Sequence, residues 1–239
     1  MTRTAARPWW PLLGVLTLLT YNTWVLWGPL NGHAAIFNGY LSELSAKDQP
    51  HHLFFRGGDL LTSLIVGALG LRALRVWPRL SPDRRRWWVV AAAALILFGV
   101  STFLDSFFAM DCSPTLNEQC KVLEETGRLS ATHYAHTFTS VGAQIGIVTS
   151  MVATYIAMRR SRLRAHWQHL LLVASVLEVV ALTVMMAMLA LGVPGLGYPQ
   201  AVMVVVGSLW FASVGIALHR DGSALQGTPA PRTEDLYAG

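Results

Sequence analysis

Long apolar runs alternate with short polar segments along the whole chain. Six of these runs, at about 20 residues each, are long enough to cross a hydrocarbon core about 30 Å thick. They are Trp9–Trp27, Leu53–Leu74, Trp87–Phe108, Ala135–Met158, Leu170–Leu191 and Ala201–Leu218. The pattern predicts an all-α fold, an integral membrane bundle of six transmembrane helices within residues 1–218. The remaining segment, 219–239, is polar and contains Gly and Pro, which predicts a disordered tail.

Basic residues between the runs indicate how the helices are oriented. Fourteen of the 18 Lys and Arg residues flank the helix ends that face the same side as both termini. The other side carries only Lys47, Arg56, Lys121 and Arg128. Because positively charged loops stay in the cytoplasm, both termini and the tail are predicted to be cytoplasmic.

Composition agrees with a membrane environment. The chain is 53% hydrophobic and only 13% charged, whereas about a quarter of the residues in a typical soluble domain are charged. The net charge of +5 does not predict a nucleic-acid partner, because the basic residues lie between apolar runs and not on one soluble face. The expected partner is therefore the lipid bilayer, and the pattern leaves the oligomeric state open.

Two of the predicted helices carry polar residues at helical spacing. The fourth helix has a stripe at i, i+3, i+4, i+7 and i+11, formed by His133, His136, Thr137, Ser140 and Gln144. The second helix has a similar stripe, formed by His52, Arg56, Asp59 and Ser63. Both stripes begin at the end predicted to lie outside the cytoplasm. Since charged side chains inside a span normally face protein or water, the two stripes are expected to line the same outward-opening cavity.

Further carboxylates belong to the same prediction. Ser101 and Asp105 lie near the outer end of the third helix, and Glu178 lies near the middle of the fifth. An unpaired carboxylate in that position would cost several kcal/mol, so Glu178 is expected to be protonated or hydrogen-bonded inward. We expect these groups to converge with the two stripes on one outward-opening polar cavity.

A polar segment between the third and fourth helices contains both cysteines of the chain. Cys112 and Cys120 lie in the stretch MDCSPTLNEQCKVLEETGRLSATHYAH, which spans residues 110–136. In an oxidising compartment outside the cytoplasm these two residues are expected to form a disulfide. A free or redox-active pair is the alternative, although the spacing differs from the C-x-x-C of redox motifs.

Three functional interpretations follow for the predicted cavity. The first is a hydrolase or transferase acting on a lipid or lipid-linked group, with catalytic residues among His133, His136, Asp59, Asp105 and Ser140. Zinc is a possible cofactor, held by His133, His136 and Asp105, and the histidines are otherwise candidates for a general base. The motif evidence is weak, because the HxxH spacing lacks the Glu of HExxH and the chain has no GxSxG.

The second interpretation is binding or transport of a small molecule or lipid. Arg56 would hold an anionic head group, and Glu178 with Gln144 would hold a proton or cation near the membrane midplane. The third interpretation is purely structural, with a polar network that only fixes how the helices pack.

Three motifs resemble a known family. SELSAKDQPHHLFFRGGDLL, DSFFAMDCSP and HYAHTFTS resemble the bacterial membrane proteins grouped as domain of unknown function number 998. The resemblance implies a multi-pass protein of the bacterial cytoplasmic membrane without an assigned reaction. The positions that the resemblance carries over to this chain are Ser42, Glu43, Arg56, Asp59, Asp105, Asp111, Cys112 and His136. We add Glu43 to the predicted substrate-binding residues.

The charge distribution gives a direct test of the predicted orientation. A reporter that is active only in the cytoplasm, fused after Gly239, is expected to be active, because fourteen of the 18 basic residues lie on the side of the termini. A fused reporter that works only outside the cytoplasm would contradict the predicted orientation.

Overall fold

The computed structural model describes residues 9–31, 37–79, 82–159 and 165–227, and within these ranges the chain is helical without a β-strand. The α-helices, in chain order, are α1 (Trp9–Thr20), α2 (Trp27–Asn31), α3 (His52–Val76), α4 (Arg85–Phe107), α5 (Glu118–Glu125), α6 (Ala131–Met158), α7 (Ala165–Ala190) and α8 (Gly197–Gly227). Short 3-10 turns lie at Thr23–Leu26, Leu41–Ser45, Trp77–Arg79 and Pro82–Arg84. The all-α fold predicted from the hydrophobic pattern is therefore confirmed.

Five helices in the described part of the chain are long and apolar enough to cross a membrane, namely α3, α4, α6, α7 and α8. The first predicted span, Trp9–Trp27, is not one continuous helix. α1 has 12 residues, and a 3-10 turn and the short α2 follow it. The structure thus shows five full-length candidate spans and one shorter apolar helix, so a count of six transmembrane helices is not shown.

Polar side chains explain where α1 ends. The Asn22 side-chain amide donates to the carbonyl oxygen of Leu18 at 3.0 Å and to the hydroxyl of Ser208 in α8 at 2.9 Å. The hydroxyl of Thr62 in α3 donates to that of Thr20 at 2.8 Å. Side chains that bond to nearby backbone and to neighbouring helices compete with helix continuation. The end of α1 is therefore fixed against α3 and α8.

α4 lies between α3 and α6 and packs extensively against both. α1 packs mainly on α8, and α7 contacts α8 and α6. The buried core joins α3, α4, α6 and α8 through fully buried side chains, among them Val66, Leu69, Leu95, Phe98, Met151 and Phe211. α7 is the least enclosed span, since only 22% of its most apolar stretch is buried inside the protein. Lipid would cover the rest.

Glycines allow α4 and α6 to approach each other closely. A Cβ at Gly146 in α6 would lie 2.7 Å from the backbone nitrogen of Phe98 and 2.8 Å from the carbonyl oxygen of Ala94 in α4. A Cβ at Gly142 would lie 2.6 Å from the Ser101 hydroxyl. The GxxxG pair of α6 therefore faces α4, as small residues do at tight helix contacts in membranes.

The two ends of the bundle differ in character. The loop end carries residues 37–51 and 108–130, which join α3 to the preceding turn and α4 to α6. The arginine end carries the start of α4 and the end of α6. α8 continues to Gly227, past the predicted helix end at Leu218, and residues 228–239 lie outside the described part of the chain. Disorder beyond Gly227 and the cytoplasmic location of both termini remain predictions.

The close contact between α4 and α6 makes Gly146 sensitive to substitution. Gly146→Ala is expected to destabilise the protein by about 1 to 3 kcal/mol, because the new methyl group meets backbone atoms that cannot move aside. Gly67→Ala is the matched control, since a Cβ at that helical glycine meets nothing within 4 Å. Thermal unfolding in detergent measures both. Equal midpoints for the two variants would contradict this account of the interface.

Candidate functional site

The loop end is built from two segments that are tied together by polar contacts. Lys47 forms an ion pair with Asp111 at 2.7 Å, and the backbone N–H of Lys47 donates to the carbonyl oxygen of Met110 at 3.0 Å. Asp48 accepts a hydrogen bond from the backbone N–H of Ser113 at 3.0 Å. These contacts join two stretches of the family motifs, SELSAKDQP at residues 42–50 and DSFFAMDCSP at residues 105–114. Together they form one structural unit, which we call the loop unit.

Asp111 is the residue that connects this unit to α6. Its second carboxylate oxygen accepts the backbone N–H of Ser130, the residue before α6, at 2.7 Å. Partial burial raises the pKa of Asp111, but hydrogen bonds from Lys47 and Ser130 lower it more, to about 2. The group therefore remains charged at neutral pH and can hold both partners.

Glu43 lies inside the loop unit with a side chain that is 2% exposed. Its carboxylate accepts hydrogen bonds from the backbone N–H groups of Tyr40 at 3.1 Å and of Thr115 at 3.2 Å. It also accepts from the hydroxyls of Ser113 and Thr115. Four donors match the acceptor capacity of a carboxylate. These contacts make Glu43 a tether between the two loop segments and leave little capacity for the substrate-binding role predicted for it.

The two cysteines lie at disulfide distance in the second loop segment. The Sγ atoms of Cys112 and Cys120 are 1.98 Å apart, and Cys120 is 1% exposed. α5 begins next to this pair, where the Asn117 side chain accepts the backbone N–H of Cys120. The pair closes the segment that covers the start of α6.

His133 faces this covering segment. Its Nδ1 accepts the backbone N–H of Asp111 at 3.2 Å, so Nδ1 carries no proton in this arrangement. Its Nε2 lies 3.3 Å from Glu124 in α5. The ring is 1% exposed. His133 therefore connects α6 to α5 and to the loop.

The ring nitrogens of His136 have the opposite roles from those of His133, since Nδ1 is the donor in His136 and the acceptor in His133. Its Nδ1 lies 3.2 Å from Oδ1 of Asp105 in α4 and 3.0 Å from the carbonyl oxygen of Phe108. Both neighbours are acceptors, so Nδ1 carries the proton. Its Nε2 is buried and has no hydrogen-bond partner among the described residues. These contacts orient the ring and place the unprotonated nitrogen, Nε2, on the side away from Asp105.

The carboxylate of Asp105 receives donors from α6. Its Oδ1 accepts hydrogen bonds from the hydroxyls of Thr139 and, at 3.2 Å, Ser140. The Ser140 hydroxyl therefore bonds to the aspartate. Thr139 was not among the predicted site residues, although it lies in the motif HYAHTFTS.

The predicted residues of the second helix lie beside this group. Arg56 in α3 donates from Nε and Nη2 to the carbonyl oxygen of Ser106, at 3.0 and 2.7 Å. It makes no ion pair among the described residues. Asp59 faces Ser45 and lies within electrostatic range of Asp105. Arg56 thus stabilises the carbonyl end of α4, as a cation does at a helix C-terminus.

Glu178 and Gln144 form a separate pair deeper in the bundle. The side-chain amide of Gln144 in α6 donates to Oε1 of Glu178 in α7 at 2.9 Å. Glu178 is fully buried, and its Oε2 has no hydrogen-bond partner among the described residues. The inward-facing hydrogen bond expected for Glu178 is present.

The donor geometry does not fit the tentative zinc site. His133 and His136 share a helical stripe, but their nitrogens bond to different neighbours, and only His136 contacts Asp105. Within the described ranges no group of three or more His, Cys, Asp or Glu side chains is arranged to hold a metal ion. The nitrogens of His133 and His136 and the carboxylate of Asp105 are therefore not arranged as one set of metal ligands.

Comparison with known proteins gives one match. A family model described as a protein of unknown function (DUF998) matches residues 5–217. No curated protein and no solved structure matches the chain.

The cysteine pair leads to a prediction about the loop end. Alkylation of unreduced protein is expected to label neither Cys112 nor Cys120, and mass spectrometry would report this directly. Replacing both residues by Ser is expected to cost about 2 to 3 kcal/mol of stability, because a covalent link in a short loop restricts the unfolded chain. Labelling of both thiols in protein from an oxidising compartment would contradict the bond.

Proposed function

Since the chain belongs to the DUF998 family of proteins of unknown function, membership supplies no reaction, and we propose from geometry that the protein is an acid–base enzyme. Its substrate would be a lipid or lipid-linked group that enters at the loop end of the bundle. The observation that carries the proposal is the 3.2 Å contact between Nδ1 of His136 and Oδ1 of Asp105. A histidine oriented by a carboxylate through Nδ1 presents Nε2 as a general base.

The proposed chemistry needs no group beyond the chain and a water or hydroxyl nucleophile. Nε2 of His136 takes the proton of that nucleophile as its oxygen attacks the ester or phosphoester of the substrate. Asp105 stabilises the resulting imidazolium, and His136 then returns the proton to the oxygen of the leaving group. The reaction is a hydrolysis when the nucleophile is water. It is a group transfer when the nucleophile is the hydroxyl of a second substrate.

Arg56 has a supporting role in this proposal. Two of its donor nitrogens hold the carbonyl oxygen of Ser106, while Nη1 has no hydrogen bond among the described residues. A guanidinium next to the Asp105 end of α4 is suited to an anionic head group, because its planar donors match phosphate oxygens.

Binding or transport is the second candidate, favoured by Glu178. A fully buried carboxylate with one unpartnered oxygen, held by Gln144, is a typical location for a proton or cation inside a membrane protein. In that case His136 and Asp105 would contribute to a pathway without breaking a bond. The two candidates differ in whether lipid is chemically changed.

Reconstituted full-length protein distinguishes them. In vesicles of mixed phosphatidylethanolamine, phosphatidylglycerol and phosphatidylcholine, the wild type is expected to convert one lipid over time, followed by mass spectrometry. His136→Gln is expected to slow the conversion by about 10²- to 10⁴-fold, because the general base is lost. His169→Gln is the matched control, since His169 is exposed and lies on α7 away from the loop end.

Thermal unfolding of each variant shows whether the fold is kept. Asp105→Asn is expected to retain substrate binding and to lower the rate, because it disturbs the orientation of His136 and not the nucleophile. Unchanged lipids with the wild type, or a wild-type rate in His136→Gln, would contradict the enzyme proposal.

A further inference from the structure

The arginine end of the bundle contains a pocket that the proposed reaction does not use. It has a volume of about 510 Å³ and lies between the first turn of α4 and the last turn of α6. Its lining consists of Asp83, Arg84, Arg86, Trp87, Ile156 and Arg159. Three guanidinium groups against one carboxylate give the pocket a positive charge. Pockets of roughly 300 to 1,000 Å³ are the usual size for small ligands.

Arg84 builds one wall of this pocket. Its Nη1 donates to the carbonyl oxygen of Ile156 in α6 at 2.8 Å, and its Nε lies 3.7 Å from Asp83. The Arg84 side chain is 19% exposed, while that of Asp83 is 76% exposed. Arg84 therefore joins the start of α4 to the end of α6 and fixes one wall of the pocket. The carboxylate of Asp83 is exposed, so solvent screens its negative charge.

Arg86 and Arg159 supply the charge that is available to a ligand. Both are exposed, and among the described residues neither forms an ion pair. The guanidinium of Arg86 lies over the Trp87 ring, 5.4 Å from its centroid. Stacking on an aromatic ring restricts an arginine without using its hydrogen-bond donors. Within the described part of the chain these donors have no carboxylate partner, so they can bind an anionic group.

The position of the pocket along α4 indicates the depth of its ligand. α4 begins at Arg85, and Trp87 lies in its first turn, where aromatic residues mark the boundary between lipid and water. The N–H groups in the first turn of a helix favour negative charge nearby. A ligand here would have its charged part in the head-group layer of the membrane.

We propose that this pocket binds a phosphate-bearing anionic group, supplied by the head group of a membrane lipid. Arginine pairs with phosphate through two parallel hydrogen bonds, and basic pockets between membrane helices are suited to such head groups. The pocket lies at the opposite end of α4 and α6 from Asp105 and His136, so the proposal is independent of the proposed reaction.

Native mass spectrometry of the full chain in detergent tests the proposal. The probes are dihexanoyl phosphatidylglycerol, dihexanoyl phosphatidylcholine, glycerol 3-phosphate and inorganic phosphate. Wild-type protein is expected to retain the phosphatidylglycerol and to lose the phosphatidylcholine. Arg86→Gln and Arg159→Gln are each expected to weaken binding of the anionic lipid by about fivefold, the effect of one basic residue near a membrane surface.

Arg85→Gln is the matched control, because it removes the same charge from an exposed neighbour that does not line the pocket. Its affinity is expected to equal that of the wild type. A loss of affinity in Arg85→Gln as large as in Arg86→Gln and Arg159→Gln would overturn the proposed site. Equal retention of phosphatidylglycerol and phosphatidylcholine by the wild type would overturn it as well. If glycerol 3-phosphate or inorganic phosphate binds as tightly as the lipid, the phosphate site stands and the membrane source is wrong.

Discussion

The carboxylate of Asp105 is the contact on which the arrangement of the loop end depends. An ionised group that faces lipid costs about 2.5 to 3.5 kcal/mol or more at the centre of a membrane helix, and less near the helix end, where Asp105 lies. α6 offsets this cost by presenting the hydroxyls of Thr139 and Ser140 and the ring of His136 to the same oxygen. The polar stripe of α6 must therefore face the end of α4, which fixes how the two helices are rotated against each other. Arg56 adds α3 to the same arrangement through the carbonyl oxygen of Ser106.

The loop end of the bundle gives different surroundings to two histidines that lie on the same helical stripe of α6. His133 meets the backbone N–H of Asp111 and the carboxylate of Glu124, so the loop unit and α5 determine its orientation. His136 lies one turn further along α6 and meets Asp105. His133 therefore belongs to the loop unit and α5, whereas His136 belongs to the site around Asp105. The Glu43 carboxylate supports this division by joining the two loop segments, and the cysteine pair closes the second segment on itself.

Much of this fold follows from the length of apolar runs, since a stretch of about 20 residues has few alternatives to a membrane helix. The interruption near Asn22 was not predictable in the same way, because its polar partner Ser208 is distant in sequence. The members of the α3 and α6 stripes lie at least partly on the protein side except Thr137, which is exposed, and Thr139, outside the stripe, contacts Asp105 instead. The stripes did not predict the partner of Arg56, because a backbone carbonyl leaves no signature in the pattern of side chains. The separate environments of His133 and His136 depend on loop segments whose course periodicity does not define.

The protonation of the two rings tests the central claim most directly. Nitrogen-15 NMR of histidine-labelled protein in lipid, at a pH where both rings are neutral, distinguishes a proton on Nδ1 from one on Nε2. We expect Nδ1–H for His136 and Nε2–H for His133, assigned by comparing the spectra of His136→Gln and His133→Gln with that of the wild type. A neutral His136 that carries its proton on Nε2 would contradict the orientation by Asp105 and remove the proposed general base.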